Sequence, residues 1–165
     1  MDSLQTAFKN SIEQEEVINA PLSKVYHALH KFQDWPKYLP HVSHVEDLYD
    51  DGEYQEFRMD VKAESGGVLK VRSIRRCIKD SISFFQPEPP VFLLHHAGLW
   101  SFRELSPQKT YISTQHRWDL NLPVARQTFN TDDSGVIEEK VKKLLTDHAN
   151  QALQTWKKTL EKEFS

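Results

Sequence analysis

An arginine occurs where the sequence pattern predicts apolar surroundings. Successive side chains of a β-strand point to opposite faces of a sheet, and in segment 68–78 this alternation groups Arg75 with Leu69 and Val71. Guanidinium keeps its charge, and burying it without a partner costs several kcal/mol. Two interpretations follow: a structural ion pair with an inward acid such as Glu16, or a wet cavity that binds an oxygen-rich ligand.

Three histidines are predicted to face the same interior. His96 lies on the apolar face of a strand that contains HHAGLWSF, His116 lies on the apolar face of the next strand, and His148 follows the apolar stripe of a C-terminal helix. Taken singly, each suits a hydrogen-bonded core position better than a catalytic one. Their convergence with Arg75 favours a polar cavity, in which an imidazole could move protons near neutral pH.

Other chemistries are not indicated. The eight histidines and the single cysteine, Cys77, show none of the spacings typical of metal sites, so neither a metal nor another cofactor is predicted. The formal net charge of −3 argues against a nucleic-acid partner. One cysteine, no membrane-length apolar run and no signal-like N-terminus favour a cytoplasmic protein without a membrane span.

The elements that would position these residues can be read from the periodicity. A first strand over 12–20 precedes a helix that opens at Pro21. Residues 34–36 then start a second short helix or turn, which ends at Pro40. Residues 121–133 are expected to be a loop, and a long amphipathic helix starts at Ser134. Alternation and turn residues predict the remaining strands over 42–49, 53–63, 68–78, 81–87, 91–105 and 109–120.

This order predicts an α+β fold. About seven antiparallel strands form a curved sheet, and the long C-terminal helix is the cover that its apolar face requires. A bent sheet that grips one helix can leave a cavity between them. We expect one domain over residues 1–165, of which the first ten or so are disordered.

The chain resembles a known superfamily. Its layout and the string INAPLSKVYHALHKFQDWPKYLPHVSHVEDL are similar to START-like, helix-grip proteins, which include the birch-pollen allergen fold. Within that superfamily, the strings DWP, VRSIRR, HHAGLWSF and STQHRWDL resemble bacterial aromatic polyketide aromatase/cyclases. The resemblance runs from about residue 12 to about residue 156.

The resemblance implies roles for particular residues. Arg75 would hold and polarise substrate carbonyls, and His116 would be an acid/base. The resemblance also implies that Trp35, Ser73, Trp100, Asp147 and His148 shape the pocket or bind substrate. His96 and Trp118 are expected to bind substrate as well, because alternation places both on the inward faces of their strands.

Some positions depart from the family pattern. Val42 stands where some members carry a pocket tyrosine, Leu69 and Val71 replace tryptophans of one branch, and Gln86 replaces a second arginine. These changes make the pocket less polar and less aromatic, and they leave room for a protein that only binds its ligand.

The predicted function is therefore a cofactor-independent polyketide aromatase/cyclase. It would fold a linear poly-β-ketone, delivered by an acyl carrier protein, and promote aldol cyclisation and dehydration. The alternative is a non-enzymatic carrier of a lipid, quinone or other hydrophobic molecule. A third interpretation is a structural or partner-binding domain with a filled core.

Overall fold

A computed structural model of the protein describes residues 8–62 and 66–164. Most of the N-terminal segment expected to be disordered, residues 1–7, lies outside the described residues. The strands are β1 (Asn10–Ile18), β2 (Val42–Asp50), β3 (Tyr54–Lys62), β4 (Val68–Ile78), β5 (Ser81–Glu88), β6 (Leu93–Ser106) and β7 (Lys109–Leu120). The helices are α1 (Leu22–His30), α2 (Trp35–Tyr38), α3 (Leu122–Phe129) and α4 (Ser134–Phe164), with a 3₁₀ turn over Phe32–Asp34.

The strands of the described chain form one seven-stranded antiparallel sheet in the order β1-β7-β6-β5-β4-β3-β2. Consecutive strands from β2 to β7 are neighbours because short turns join them. Gly52, in the first of these turns, has a φ of 93° that suits glycine. β1 pairs with β7, so the two short helices that follow β1 bridge from one edge of the sheet to the other. The α+β helix-grip prediction is confirmed.

Helix α4 packs along the concave face of the sheet and contributes to two separate apolar clusters. Its first half carries Ile137, Val141 and Leu145 into a cluster with Trp118. Its second half carries Leu153, Trp156 and Leu160 into a cluster with α1 and the strand ends on that side. The interior between the two clusters is not filled by side chains.

The predicted loop over 121–133 is wrong, because most of it is helical. Helix α3 has Pro123 in its first turn, where a missing N–H is tolerated, and it ends at Asn130 with a left-handed φ of 50°. Ala125 is fully buried and anchors the helix to the Trp118 cluster. One turn of apolar spacing was too short a signal to separate this helix from a loop.

The register of β6 also differs from strict alternation. A shift in pairing lies between Leu93 and His95, so Leu93 is buried and Leu94 is 54% exposed. Two-residue alternation counted from the inward His96 predicts that Leu94 also faces inward, and this prediction is wrong. From His96 to Phe102 the inward positions follow the alternation: His96 and Phe102 are buried, and Trp100 lies against the interior hollow described below.

Candidate functional site

A hollow of two connected chambers lies between the sheet and α4. The outer chamber has a volume of about 320 Å³ and reaches α4 at His148 and Ala152. The inner chamber has a volume of about 160 Å³ and ends against Arg75 and Trp35. The residues that line both chambers are His41, Met59, Gln86, His96, Trp100, His116 and Ala152.

A wider groove of about 580 Å³ lies on the other side of the sheet, between residues such as Ile74, Leu99 and Arg117. Among the described residues predicted to form the site, only Arg75 borders it. The chambers bring together seven of them: Trp35, Ser73, Arg75, His96, Trp100, His116 and His148. We therefore take the chambers as the candidate site.

Arg75 is buried, with 3% of its surface exposed. The four hydrogen bonds described for it are accepted by uncharged oxygens. Nε and Nη2 donate to Gln55 Oε1 at 3.0 and 2.5 Å, Nη1 donates to the carbonyl of Leu29 at 3.0 Å, and Nη2 donates to that of His30 at 2.8 Å. Glu16, the alternative partner, instead contacts Gln154 and Lys157.

The surroundings explain how a charge is tolerated here. Leu29 and His30 end helix α1, so Arg75 satisfies carbonyls at the negative end of the helix dipole. Its guanidinium lies 5.1 Å from the ring centre of Trp35 and 5.5 Å from that of Phe57, within cation–π range. Burial lowers the pKa of Arg75 to about 10, which leaves it charged at neutral pH.

The site also contains a pair of histidines in direct contact. Nε2 of His96 lies 3.1 Å from Nδ1 of His116, and the two ring planes are inclined by 15°. Nδ1 of His96 lies 2.6 Å from Gln86 Oε1, and Nε2 of His116 lies 3.2 Å from the hydroxyl of Thr114. Gln86 Nε2 in turn donates to Ser73 Oγ at 3.3 Å.

Both imidazoles are neutral at physiological pH. Burial, with a smaller contribution from His116, lowers the pKa of His96 to about 3. Burial also lowers the pKa of His116 to about 4. The expectation that His116 titrates near neutral pH, as an ordinary histidine would, is therefore wrong. What the site offers instead is an unprotonated base at any pH above about 5.

Gly98 explains why the string HHAGLWSF interrupts its large residues with a glycine. A Cβ at this position would lie 2.1 Å from the carbonyl oxygen of Gln115 and 2.4 Å from Cζ of Phe84. The Phe84 ring uses this space, and its centre is 5.5 Å from the ring centres of both His96 and His116. The glycine therefore permits an aromatic side chain to brace the histidine pair.

Further ionisable side chains line the outer chamber. His41, from the segment before β2, and His148, from α4, both border it, and Lys62 borders it from β3. Burial and the nearby His148 lower the pKa of His41. A ligand that reaches the inner chamber from this side passes three nitrogen-containing side chains.

Two predicted binding residues do not reach the chambers. Trp118 is fully buried in the cluster under α3, and its Nε1 has no hydrogen-bond partner among the described residues. Asp147 is exposed on the outer side of α4, where it accepts a hydrogen bond of 2.6 Å from Lys143. Helical spacing turns Asp147 about 100° away from its neighbour His148, which borders the outer chamber.

The structure adds polar residues that the sequence analysis missed as site members. Gln55 and Gln86 are buried, and each links a predicted site residue to a second polar group. Thr114 is fully buried beside His116. Alternation along their strands was the available signal for an inward position. These residues were missed because an uncharged polar side chain on an apolar face, unlike a charged one, does not call for a binding partner.

The fold and the hollow beneath its long helix define the class: a helix-grip protein with a hollow between its curved sheet and its C-terminal helix. A family model described as polyketide cyclase/dehydrase and lipid transport matches residues 18–152. The chain belongs to this family.

Solved structures agree with the assignment. The di-domain ARO/CYC BexL from the BE-7585A biosynthetic pathway is 28% identical, with a TM-score of 0.82 over 92% of this chain and 50% of that chain. The Zhui aromatase/cyclase from Streptomyces sp. R1128 is 19% identical, with a TM-score of 0.80 over 92% and 93%. A START superfamily protein from Mycobacterium smegmatis is 16% identical, with a TM-score of 0.75 over 92% and 97%, so it and Zhui show the fold alone.

Three further findings complete these comparisons. The chain spans about half the length of the di-domain structures that it matches. No curated protein matches its sequence significantly. Within residues 8–62 and 66–164, no helix is long and apolar enough to cross a bilayer, and no cluster of three metal-binding side chains occurs.

Proposed function

We propose that the protein is a polyketide aromatase/cyclase that binds a linear poly-β-ketone in the two chambers. The observation that carries this proposal is the neutral histidine pair in a hollow that also contains a buried guanidinium. Membership of the polyketide cyclase/dehydrase family and the likeness to ARO/CYC structures support the same reaction class.

The chemistry needs a proton acceptor and a site for negative charge. An imidazole takes a proton from a methylene carbon, and the electron pair of the broken C–H bond becomes an enolate. The enolate carbon attacks a distant carbonyl of the same chain, and the alkoxide then takes up a proton. Loss of a second ring proton and of hydroxide, as water, leaves a double bond and leads to an aromatic ring.

Arg75 would stabilise the oxygens in this sequence. One hydrogen of Nη1 has no acceptor among the described residues, and the charge itself lies at the end of the inner chamber. A fixed donor in a site that excludes water stabilises a developing oxyanion strongly. The pKa of about 10 makes Arg75 a poor proton donor at neutral pH, so His116 and His96 are the residues that would move protons.

Chamber size supports the assignment of a ring-forming step. An apolar cavity of about 150 Å³ can hold one benzene molecule, and the inner chamber has about 160 Å³. One six-membered ring would therefore fit between Trp35, Trp100 and Arg75, while the rest of the polyketide occupies the outer chamber. Delivery by an acyl carrier protein and a cytoplasmic location remain part of this proposal.

The test is a reconstituted reaction with a polyketide synthase that releases a linear poly-β-ketone. We expect the protein to convert the mixture of spontaneous products into one regioisomer. His116→Asn should slow this conversion by about 10²-fold or more, the usual contribution of acid–base catalysis. The control is His44→Asn, on the exposed part of β2. An unchanged product mixture with and without the wild-type protein would refute the proposal.

A second candidate is a carrier that binds a hydrophobic molecule without changing it. The observation that favours it is that the polar groups of the site already bond to one another or to the backbone. Most N–H donors of Arg75 and all four ring nitrogens of His96 and His116 have protein partners. Native mass spectrometry of purified protein distinguishes the two. A stoichiometric lipid or quinone that is recovered unchanged would favour the carrier.

A further inference from the structure

We propose that Gln86 is a positioning residue that sets one direction for the hydrogen bonds through His96 and His116. Both rings then carry their proton on Nδ1, and the lone pair of His116 Nε2 is the base of the site. The tautomers follow from the contacts of two uncharged rings, whereas their catalytic use rests on the function proposed above.

The Gln86 amide fixes the first hydrogen bond of the chain. Its Nε2 donates to Ser73 Oγ at 3.3 Å, which leaves Oε1 to face Nδ1 of His96 at 2.6 Å. A carbonyl oxygen only accepts hydrogen bonds, so this Nδ1 must carry a hydrogen.

The tautomer of His96 then determines the tautomer of His116. A neutral imidazole with a hydrogen on Nδ1 has its lone pair on Nε2. Nε2 of His96 is 3.1 Å from Nδ1 of His116, so the latter must be the donor. The lone pair of His116 then lies on Nε2, 3.2 Å from the hydroxyl of Thr114, which donates to it.

A directed chain of this kind gives its two ends opposite properties. At one end, His116 Nε2 can accept a proton: an N–H bond forms as the substrate C–H bond breaks, and the hydroxyl of Thr114 turns from donor to acceptor. The Nδ1 proton of His116 can then move to Nε2 of His96, which shifts the positive charge toward Gln86 Oε1. At the other end, Ser73 accepts from Gln86, so its own hydroxyl hydrogen remains to donate.

The uncharged amide is essential to this arrangement. The ionisable side chains that line the same chambers, in the described part of the chain, are Lys62, Arg75, His41 and His148. The positive charges of Lys62 and Arg75 favour neutral imidazoles, and the uncharged amide of Gln86 does not reverse that effect. A carboxylate in its place would attract a proton onto His96 and remove the free base.

The decisive experiment is a long-range ¹H–¹⁵N NMR spectrum of the histidine side chains in the full-length wild-type protein. His96→Asn and His116→Asn serve to assign the signals. We expect both rings as neutral Nδ1–H tautomers from pH 8 down to pH 5. An Nε2–H tautomer on either ring, the result of the reverse amide orientation, would overturn the proposal whether or not the protein cyclises a polyketide.

Two variants extend the test. Gln86→Glu should give at least one imidazolium signal at pH 6.5, and Gln86→Met should give mixed tautomers. The matched control is Gln115→Glu. It adds the same carboxylate next to His116 in sequence, but Gln115 borders the wider groove on the other side of the sheet. Wild-type-like spectra for both Gln86 variants would contradict the proposal. Expected tautomers without any cyclisation would refute only the proposed function.

Discussion

At the scale of single residues, Arg75 serves two purposes at once. It borders the inner chamber, and it also closes the C-terminal end of α1 through the carbonyls of Leu29 and His30. A substitution there therefore changes the fold as well as the site. Loss of activity in an Arg75 variant has meaning only when stability is measured beside it.

Arg75→Ala should lower the free energy of unfolding by about 3 kcal/mol or more, because Gln55 Oε1 and two carbonyls each lose a donor in a buried place. Chemical denaturation measures this loss. Arg76→Ala is the control: the side chain is exposed and stacks on Tyr54, so its removal should cost less than about 1 kcal/mol. Equal losses for the two variants would contradict the capping role.

The histidine pair makes stability depend on pH in a definite direction. The pKa values of His96 and His116, about 3 and about 4, lie below the value of about 6.5 in an unfolded chain. The unfolded state therefore binds more protons below pH 6.5. Stability is full above that pH and falls by up to about 1.4 kcal/mol per pH unit for each ring down to about pH 4.

Denaturation midpoints between pH 7 and pH 5 test this dependence. His116→Asn should remove part of the slope, whereas His44→Asn, at an exposed position on β2, should leave it unchanged. A wild-type midpoint that does not change over this range would show that the two rings are not held neutral by burial.

The sequence predicted the inward residues where alternation was regular and the residue type was unusual. Arg75 and His116 were found in this way because a charged or ionisable group on an apolar face demands a reason. Trp118 was misplaced because alternation gives the face of a strand but not the position along the cavity. Gln86 was noted only as a departure from a family pattern, because a glutamine on either face of a strand does not by itself indicate a functional role.

At the scale of elements, β6 is the strand that shapes the site. Its early register shift turns Leu94 outward and His96 inward, and Gly98 gives the Phe84 ring its space. Regular alternation correctly predicted the inward positions of His96, Trp100 and Phe102 in the middle of this strand. The shift was not predictable, because nothing local to Leu93 distinguishes a bulge from a continuous strand.

Gly98→Ala should therefore destabilise the protein by about 1–3 kcal/mol, the usual cost of overpacking a core. It should also weaken ligand binding, because Phe84 would be displaced against the histidine pair. Gly67→Ala is the control, since a Cβ there has no atom within 4 Å. Unchanged stability and affinity in Gly98→Ala would show that Phe84 does not depend on the glycine.

At the scale of the whole molecule, a hollow core leaves stabilisation available to a ligand. A molecule that fills the chambers and binds only the folded state adds about 2.7 kcal/mol at one hundred times its dissociation constant. The prediction of a cavity came partly from element order, since a bent sheet that grips one long helix can leave space between them. The volumes and their division into two chambers depend on side-chain packing that element order does not specify.

Tryptophan fluorescence locates the ligand. Trp100 borders both chambers and Trp118 borders neither. Addition of a hydroxylated polycyclic aromatic ketone should quench the emission. Trp100→Phe should remove only part of that change, because Trp35 and Trp156 also line the inner chamber. Trp118→Phe, in contrast, should preserve it in full. A change that disappears only in Trp118→Phe would place the ligand under α3 instead.

The two apolar clusters have a consequence for how the molecule unfolds. They lie on opposite sides of the hollow, yet β1, β6, β7 and α4 each contribute side chains to both, as Ile12 and Ile18 do from β1. Because these four elements belong to both clusters, one cluster cannot unfold without removing side chains from the other. Despite the void at its centre, the domain should behave as a single cooperative unit, with one transition whichever spectroscopic probe follows it.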